Sequence, residues 1–175
     1  GTVRRSVEQS LEALGVERVT LLQLHNAVTS RREEEPTSVS PVDVLHREGI
    51  LAAMQVLQEE GLVEHLGLTG IGQAGALREV IQSGGFATIQ TPYSLANPTA
   101  CRPSPAGFEE ADYGQVLKDC GELGMGVFAI RVFAGGALLD QAPAQHTYKT
   151  RFFPLDLYQR DLARASRIAG QLDEM

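Results

Sequence analysis

Arg18-Val-Thr-Leu-Leu-Gln-Leu-His25 is the stretch on which the fold turns. It is short, rich in β-formers and almost wholly apolar until His25 and Asn26. That is the profile of a strand covered on both faces, as in a parallel sheet. Upstream, Val3, Val7, Leu11 and Leu14 recur at helical spacing, and Gly15 stops the helix. Downstream, Thr29 to Val44 is polar, carries Arg31-Arg-Glu-Glu-Glu35 and two prolines, and reads as a solvated loop. The alternation then repeats. Helices are expected at Glu48–Glu60, Ala74–Gln82, Phe108–Leu123 and Leu155–Met175. Strands are expected at Val63–Thr69, Ala87–Thr91 and Met125–Arg131, and a glycine-rich turn at Phe133–Ala137.

Strands alternating with helices imply a parallel sheet of the α/β class. An open doubly wound sheet and a (β/α)8 TIM barrel both fit. A G-x-G-x-x-G after the first strand would favour the open sheet. Leu24-His-Asn26 stands there instead, which pulls toward the barrel.

The chain has 175 residues and a formal net charge of -7, which argues against nucleic-acid or anionic-membrane partners. No apolar run approaches the roughly 20 residues of a membrane helix, and no leader pattern opens the sequence. Cys101 and Cys120 belong to no metal or redox motif and read as free thiols of a cytoplasmic protein. His25, His46, His65 and His146 have no metal-ligand spacing, so no metal is expected. Gly1 to Val3 lead at once into helix, and Leu172-Asp-Glu-Met175 carries no stop signal. Both ends read as those of a piece of a longer chain.

In parallel βα folds ligands bind at the carboxyl ends of the strands. The candidates are therefore His25-Asn26, Thr69-Gly70, Gln90 to Tyr93, and Arg131 to Gly136. Three ends carry polar groups that a packed core would not choose. The fourth enters a glycine turn suited to close approach to a phosphate. Each residue singly also has a structural explanation, as a cap, a turn or a surface ion pair. Their coincidence on one rim suggests a polar ligand with an anionic group near the last strand.

At these ends the sequence resembles the aldo/keto reductases. Ser6 to His25 is similar to a helix and the fourth barrel strand of that family. Glu60 to Gly70 (EGLVEHLGLTG), Phe86 to Ser94 (FATIQTPYS) and Gly124 to Leu138 (GMGVFAIRVFAGGAL) resemble its following strand segments, in order. The resemblance implies a partial (β/α)8 barrel over residues 1–175, holding the fourth to seventh strands. It implies hydride transfer between NADP(H), or NAD(H), and a small carbonyl or alcohol substrate. His25 matches the catalytic His, which orients the carbonyl and donates a hydrogen bond to its oxygen. Gln90, Thr69 and Gly70 match the residues that hold the nicotinamide carboxamide. Ile130 stands where the family often stacks an aromatic ring. Arg131, Phe133, Gly135 and Gly136 match the segment beside the pyrophosphate.

The family's catalytic Asp, Tyr and Lys belong to earlier strands and match neither Asp43, Tyr93 nor Lys118. Gly70 replaces an Asn, Thr20 an Asp, and Val132-Phe133 a Pro-Leu pair. These departures leave a second expectation open, a non-catalytic nucleotide-binding relative. An unrelated phosphate-binding barrel is a third. Four parallel strands cannot close a barrel of eight. The 175 residues alone are therefore expected to show no reductase turnover. NADPH oxidation with a panel of small aldehydes, 4-nitrobenzaldehyde among them, checks this. Turnover abolished by His25→Ala would contradict it.

Overall fold

A computed structural model describes residues 2–142 and 154–173; His146 and the end of the expected last helix, Glu174 and Met175, lie outside them. In chain order come α1 (Thr2–Leu14), β1 (Val19–Leu24), α2 (Pro41–Leu45), α3 (Ile50–Glu59), β2 (Val63–Thr69) and α4 (Ala74–Gln82). Then follow β3 (Thr88–Pro92), α5 (Val116–Glu122), β4 (Gly126–Ile130), a 3₁₀ turn (Ala134–Leu139) and α6 (Leu155–Asp173).

The four strands form one parallel sheet in the order β1-β2-β3-β4. Every strand neighbours the next one in sequence, with no reversal of direction along the sheet. A doubly wound sheet needs such a reversal, and a barrel arc does not. The sheet is thus part of a (β/α)8 barrel.

Side chains alternate across a strand, so the register sorts them onto two faces. Leu24, Leu68 and Ile89 form one row across three strands. They are buried in a common core with Leu57 of α3 and Leu77, Val80 and Ile81 of α4. Gln23, Thr69, Gln90 and Phe128 belong to the opposite face, outside the core that those helices share with the sheet among the described residues. The strands were expected to be covered on both sides; the cover is one-sided. Phe128 is 50% exposed and Val127, on β4's other face, 43%. Only Leu24 is buried on β1.

Two other expectations are corrected. The helix expected from Phe108 to Leu123 begins only at Val116. Gly114 and Gln115 both adopt left-handed backbone, at φ 62° and 58°, which a helix cannot absorb. The preceding residues spend their donors on a neighbouring loop: Tyr113 N donates to Thr99 Oγ1 at 3.0 Å and Gln115 N to Thr99 O at 2.8 Å.

The segment Thr29–Val44 is solvated only in its middle. Thr29 and Ser38 are buried and their hydroxyls are bonded at 2.8 Å. Val28 bridges Val39 and Gly72. Ser40 then opens α2 with a capping box: its hydroxyl accepts from Asp43 N at 3.2 Å, and its N–H donates to Asp43 Oδ2 at 2.9 Å. Ile89→Ala is expected to destabilise the fold by about 2–5 kcal/mol through a core cavity. Ser40→Ala should lose about 1 kcal/mol, the worth of a helix cap. Urea unfolding followed by far-UV circular dichroism measures both.

Candidate functional site

The carboxyl ends of all four strands lie along one rim, because the sheet is parallel throughout. Leu24 pairs with Leu68, Thr69 with Gln90, and Gln90 with Phe128. His25, one residue past Leu24, therefore falls beside Thr69. It is exposed. Its neighbour Asn26 is a loop tie instead, donating to Thr37 O at 2.7 Å.

The centre of the rim is a short polar network. Gln23 Nε2 donates to Thr69 Oγ1 at 2.9 Å and approaches Gln90 Oε1 at 3.4 Å. Thr69 is only 2% exposed, whereas Gln23 and Gln90 are half-buried. Thr69 thus supports the row from beneath, and the two amides present it. Gly70 donates its N–H to Gln90 O at 2.7 Å. A Cβ on Gly70 would sit 2.8 Å from Ile89 Cδ1 and 2.9 Å from Thr91 Cβ, on the packed side. That crowding accounts for a glycine at this position.

Gln23 was missed by the sequence argument, which treated it as one more residue of an apolar strand. The signal was available: an amide two residues before His25 shares its face. Phe128 was passed over in the same way. It is the register partner of Gln90, and Ile130 lies one step further along the same face, opposite Pro92.

Beyond β4 the backbone is bent by a run of left-handed residues: Arg131 (φ 57°), Ala134 (48°), Gly135 (67°) and Gly136 (104°). Gly136 is required, since a Cβ there would meet Gln141 O at 2.9 Å. The turn satisfies part of its own backbone, with Ala134 N donating to Arg131 O at 2.8 Å and Gly136 N to Phe133 O at 3.0 Å. Phe133 projects outward, 57% exposed.

Helix α6 docks over this end of the sheet. Glu110 is the anchor, pairing with both Arg160 and Arg164. Arg164 also pairs with Asp161 at 2.8 Å and lies over the Phe108 ring, 5.2 Å from its centroid. Arg160 and then Arg164 hold the Glu110 carboxyl below its ordinary value, against burial. Asp161 is 5% exposed, and burial raises its pKa more than Arg164 lowers it. Burial also raises the Tyr113 phenol, while the adjacent Arg131 guanidinium, bonded to it, works the other way. A cleft of about 330 Å³ is bounded here by Gly72, Tyr113, Arg131, Leu157 and Arg160.

A roomier cleft, about 610 Å³, lies between α1, α2 and α3. Its charged groups are already paired, Arg4 with Glu60 and Arg32 with Asp43. The rim, by contrast, gathers a hydroxyl and two side-chain amides into one hydrogen-bonded row. Cys101 and Cys120 are both free; burial pushes the Cys120 thiol up to about 11, which keeps it protonated and inert. Among the described residues no three His, Cys, Asp or Glu side chains gather as a metal site, and no helix is long and apolar enough to cross a membrane.

A parallel barrel arc with a polar rim defines the class, an α/β protein of the TIM-barrel kind. The chain belongs to the aldo/keto reductase family, whose sequence pattern matches residues 1–171. Among solved structures it is similar to an aldo-keto reductase from Bacillus halodurans in its apo form. That match has a TM-score of 0.58 and 20% identity, and covers 94% of this chain and 47% of the other. A Bombyx mori aldo-keto reductase in complex with NADP is also similar, with a TM-score of 0.49 and 18% identity over 73% of this chain and 36% of that one. The chain thus spans less than half the length of either structure. No curated protein sequence matches it.

The Glu110 anchor is testable by pH. A carboxyl depressed in the folded state stabilises above its unfolded pKa and loses that contribution as pH falls through its folded value. The protection of α6 amides from hydrogen exchange, relative to their intrinsic rates at each pH, should therefore fall on acidification below pH 4.5, the ordinary value for Glu110. Glu110→Gln should raise α6 exchange already at pH 7 and flatten this dependence. Equal α6 protection in the variant and the parent would refute the anchor.

Proposed function

We propose that this chain carries the nicotinamide end of a dinucleotide site in an NADP(H)-dependent oxidoreductase, one that reduces an aldehyde or ketone to an alcohol or runs the reverse. The observation that carries this is the Gln23–Thr69–Gln90 row, set on the uncovered face at the strand ends with His25 beside it. A side-chain amide can present a hydrogen-bond donor to a carbonyl oxygen, which suits a carboxamide. Aldo/keto reductase membership supplies the reaction class.

In this assignment Gln90 holds the carboxamide, Thr69 and Gly70 support it through Gln23 and the backbone, and Phe128 and Ile130 form an apolar wall alongside. The bend from Arg131 to Gly136, Phe133 included, runs beside the pyrophosphate. For Arg131 to meet a phosphate, its guanidinium must share or exchange its contact with Tyr113. When bound, the nicotinamide supplies a hydride to the carbonyl carbon, while the oxygen takes a proton. His25 orients that oxygen and donates a hydrogen bond to the charge developing on it. The family's Asp, Tyr and Lys match nothing in these 175 residues, so the contribution of this chain is binding and orientation. The free thiols fit a cytoplasmic setting.

The sequence has no Trp, so the titration follows the fluorescence of NADPH itself. Gln90→Ala should weaken binding by about ten-fold, the worth of one or two hydrogen bonds. Arg4→Ala, in the outer cleft, should leave it unchanged. Equal affinity for the Gln90→Ala protein and its parent would sink the assignment.

A further inference from the structure

We infer that Gln23 is a positioning residue that fixes which end of the Gln90 amide is offered to the ligand, so that the site recognises the carbonyl oxygen of a carboxamide and not its N–H group. This rests on the dinucleotide reading above and deepens it.

The bonding inventory leads there. An amide nitrogen has two hydrogens and no acceptor capacity. One hydrogen of Gln23 Nε2 is committed to Thr69 Oγ1 at 2.9 Å, and Nε2 lies 3.4 Å from Gln90 Oε1. Gln90 thus turns its oxygen toward Gln23, and its own Nε2, a pure donor, points the other way along the uncovered face. Thr69 anchors the arrangement, because its hydroxyl is buried and sits at the register position beside Gln90. Nothing at residue 70 competes. Its backbone N–H is bonded to Gln90 O, and a side chain there would collide with Ile89 and Thr91. The amide that ligands meet therefore takes its orientation from Gln23.

Gln23→Glu reverses the polarity without opening a hole. A carboxylate at that position accepts from the Thr69 hydroxyl and from Gln90 Nε2, which turns Gln90 Oε1 to the ligand. The probes are NADP+ and its 3-acetylpyridine analogue, which keeps the ring carbonyl and replaces the amide nitrogen by a methyl group. The unsubstituted chain should bind both within about two-fold, since it reads only the oxygen. In Gln23→Glu the analogue should weaken about five- to ten-fold relative to NADP+, because an acceptor then faces a methyl group. A purely structural role for Gln23 would shift both ligands together.

Rejection of the analogue by the unsubstituted chain, or an unchanged ratio in Gln23→Glu, overturns the inference. If neither dinucleotide binds, the proposed function fails, and the orientation is judged on the free chain by side-chain amide exchange in nitrogen-15 spectra. Gln23 Nε2 protons exchanging about ten-fold more slowly than those of exposed Gln82 support it. Equal rates overturn it.

Discussion

The register that sets Leu68 against Ile89, and Thr69 against Gln90 one residue later, divides the sheet into two faces with opposite requirements. A parallel strand can return only through a crossover, and the crossovers here are helices. Their apolar sides need a partner, and Leu24, Leu68 and Ile89 provide it. The alternation that buries those three residues turns Gln23, Thr69 and Gln90 to the other side. Slipping any strand by one residue would bury the amides and expose the leucines. Core and site are in this sense fixed by one pairing.

The end of β4 shows how the rim is extended. Left-handed backbone at Arg131 and Ala134 is costly for residues that carry a Cβ. It is held by the turn's own hydrogen bonds and by α6, whose arginines converge on Glu110. Glu110 and Asp161 face opposite electrostatic outcomes although they share Arg164. Two bonded guanidiniums outweigh desolvation at Glu110, while at Asp161 burial, aided by the Glu110 charge, outweighs the bonded Arg164 and the nearby Arg160. Glu110 thus contributes to the docking of α6 as an ionised carboxylate, beside the packing of Tyr158 on Ala134 and Ala137.

Most of the architecture was legible in the sequence, because short apolar runs and helical spacing are local signals. RVTLLQLH, VEHLGLT, ATIQT and MGVFAIR all mark strands, and the missing G-x-G-x-x-G pointed away from a doubly wound sheet. What escaped depends on partners distant in the chain. Helical spacing continued through Tyr113, but the donors of that segment go to Thr99 and the backbone turns left-handed at Gly114. The acidic stretch after Thr29 looked solvated, since nothing local reveals that Val28 pairs with Gly72. Its Ser40-Pro-Val-Asp43 cap was readable and passed over. His25, Thr69 and Gln90 were singled out by their place at strand ends. Gln23 was not, because its importance comes from Thr69, 46 residues away.

The central claim is that His25, the amide row and the bend after β4 surround one bound dinucleotide. Backbone chemical shifts recorded on adding NADP+ test it most directly. The account predicts perturbations grouped at Gln23 to Asn26, Thr69 to Gly70, Gln90 and Arg131 to Gly136, with the α1–α3 cleft silent. Shifts centred on Arg4, Asp43 and Ile50, or none along the rim at millimolar NADP+, would contradict it.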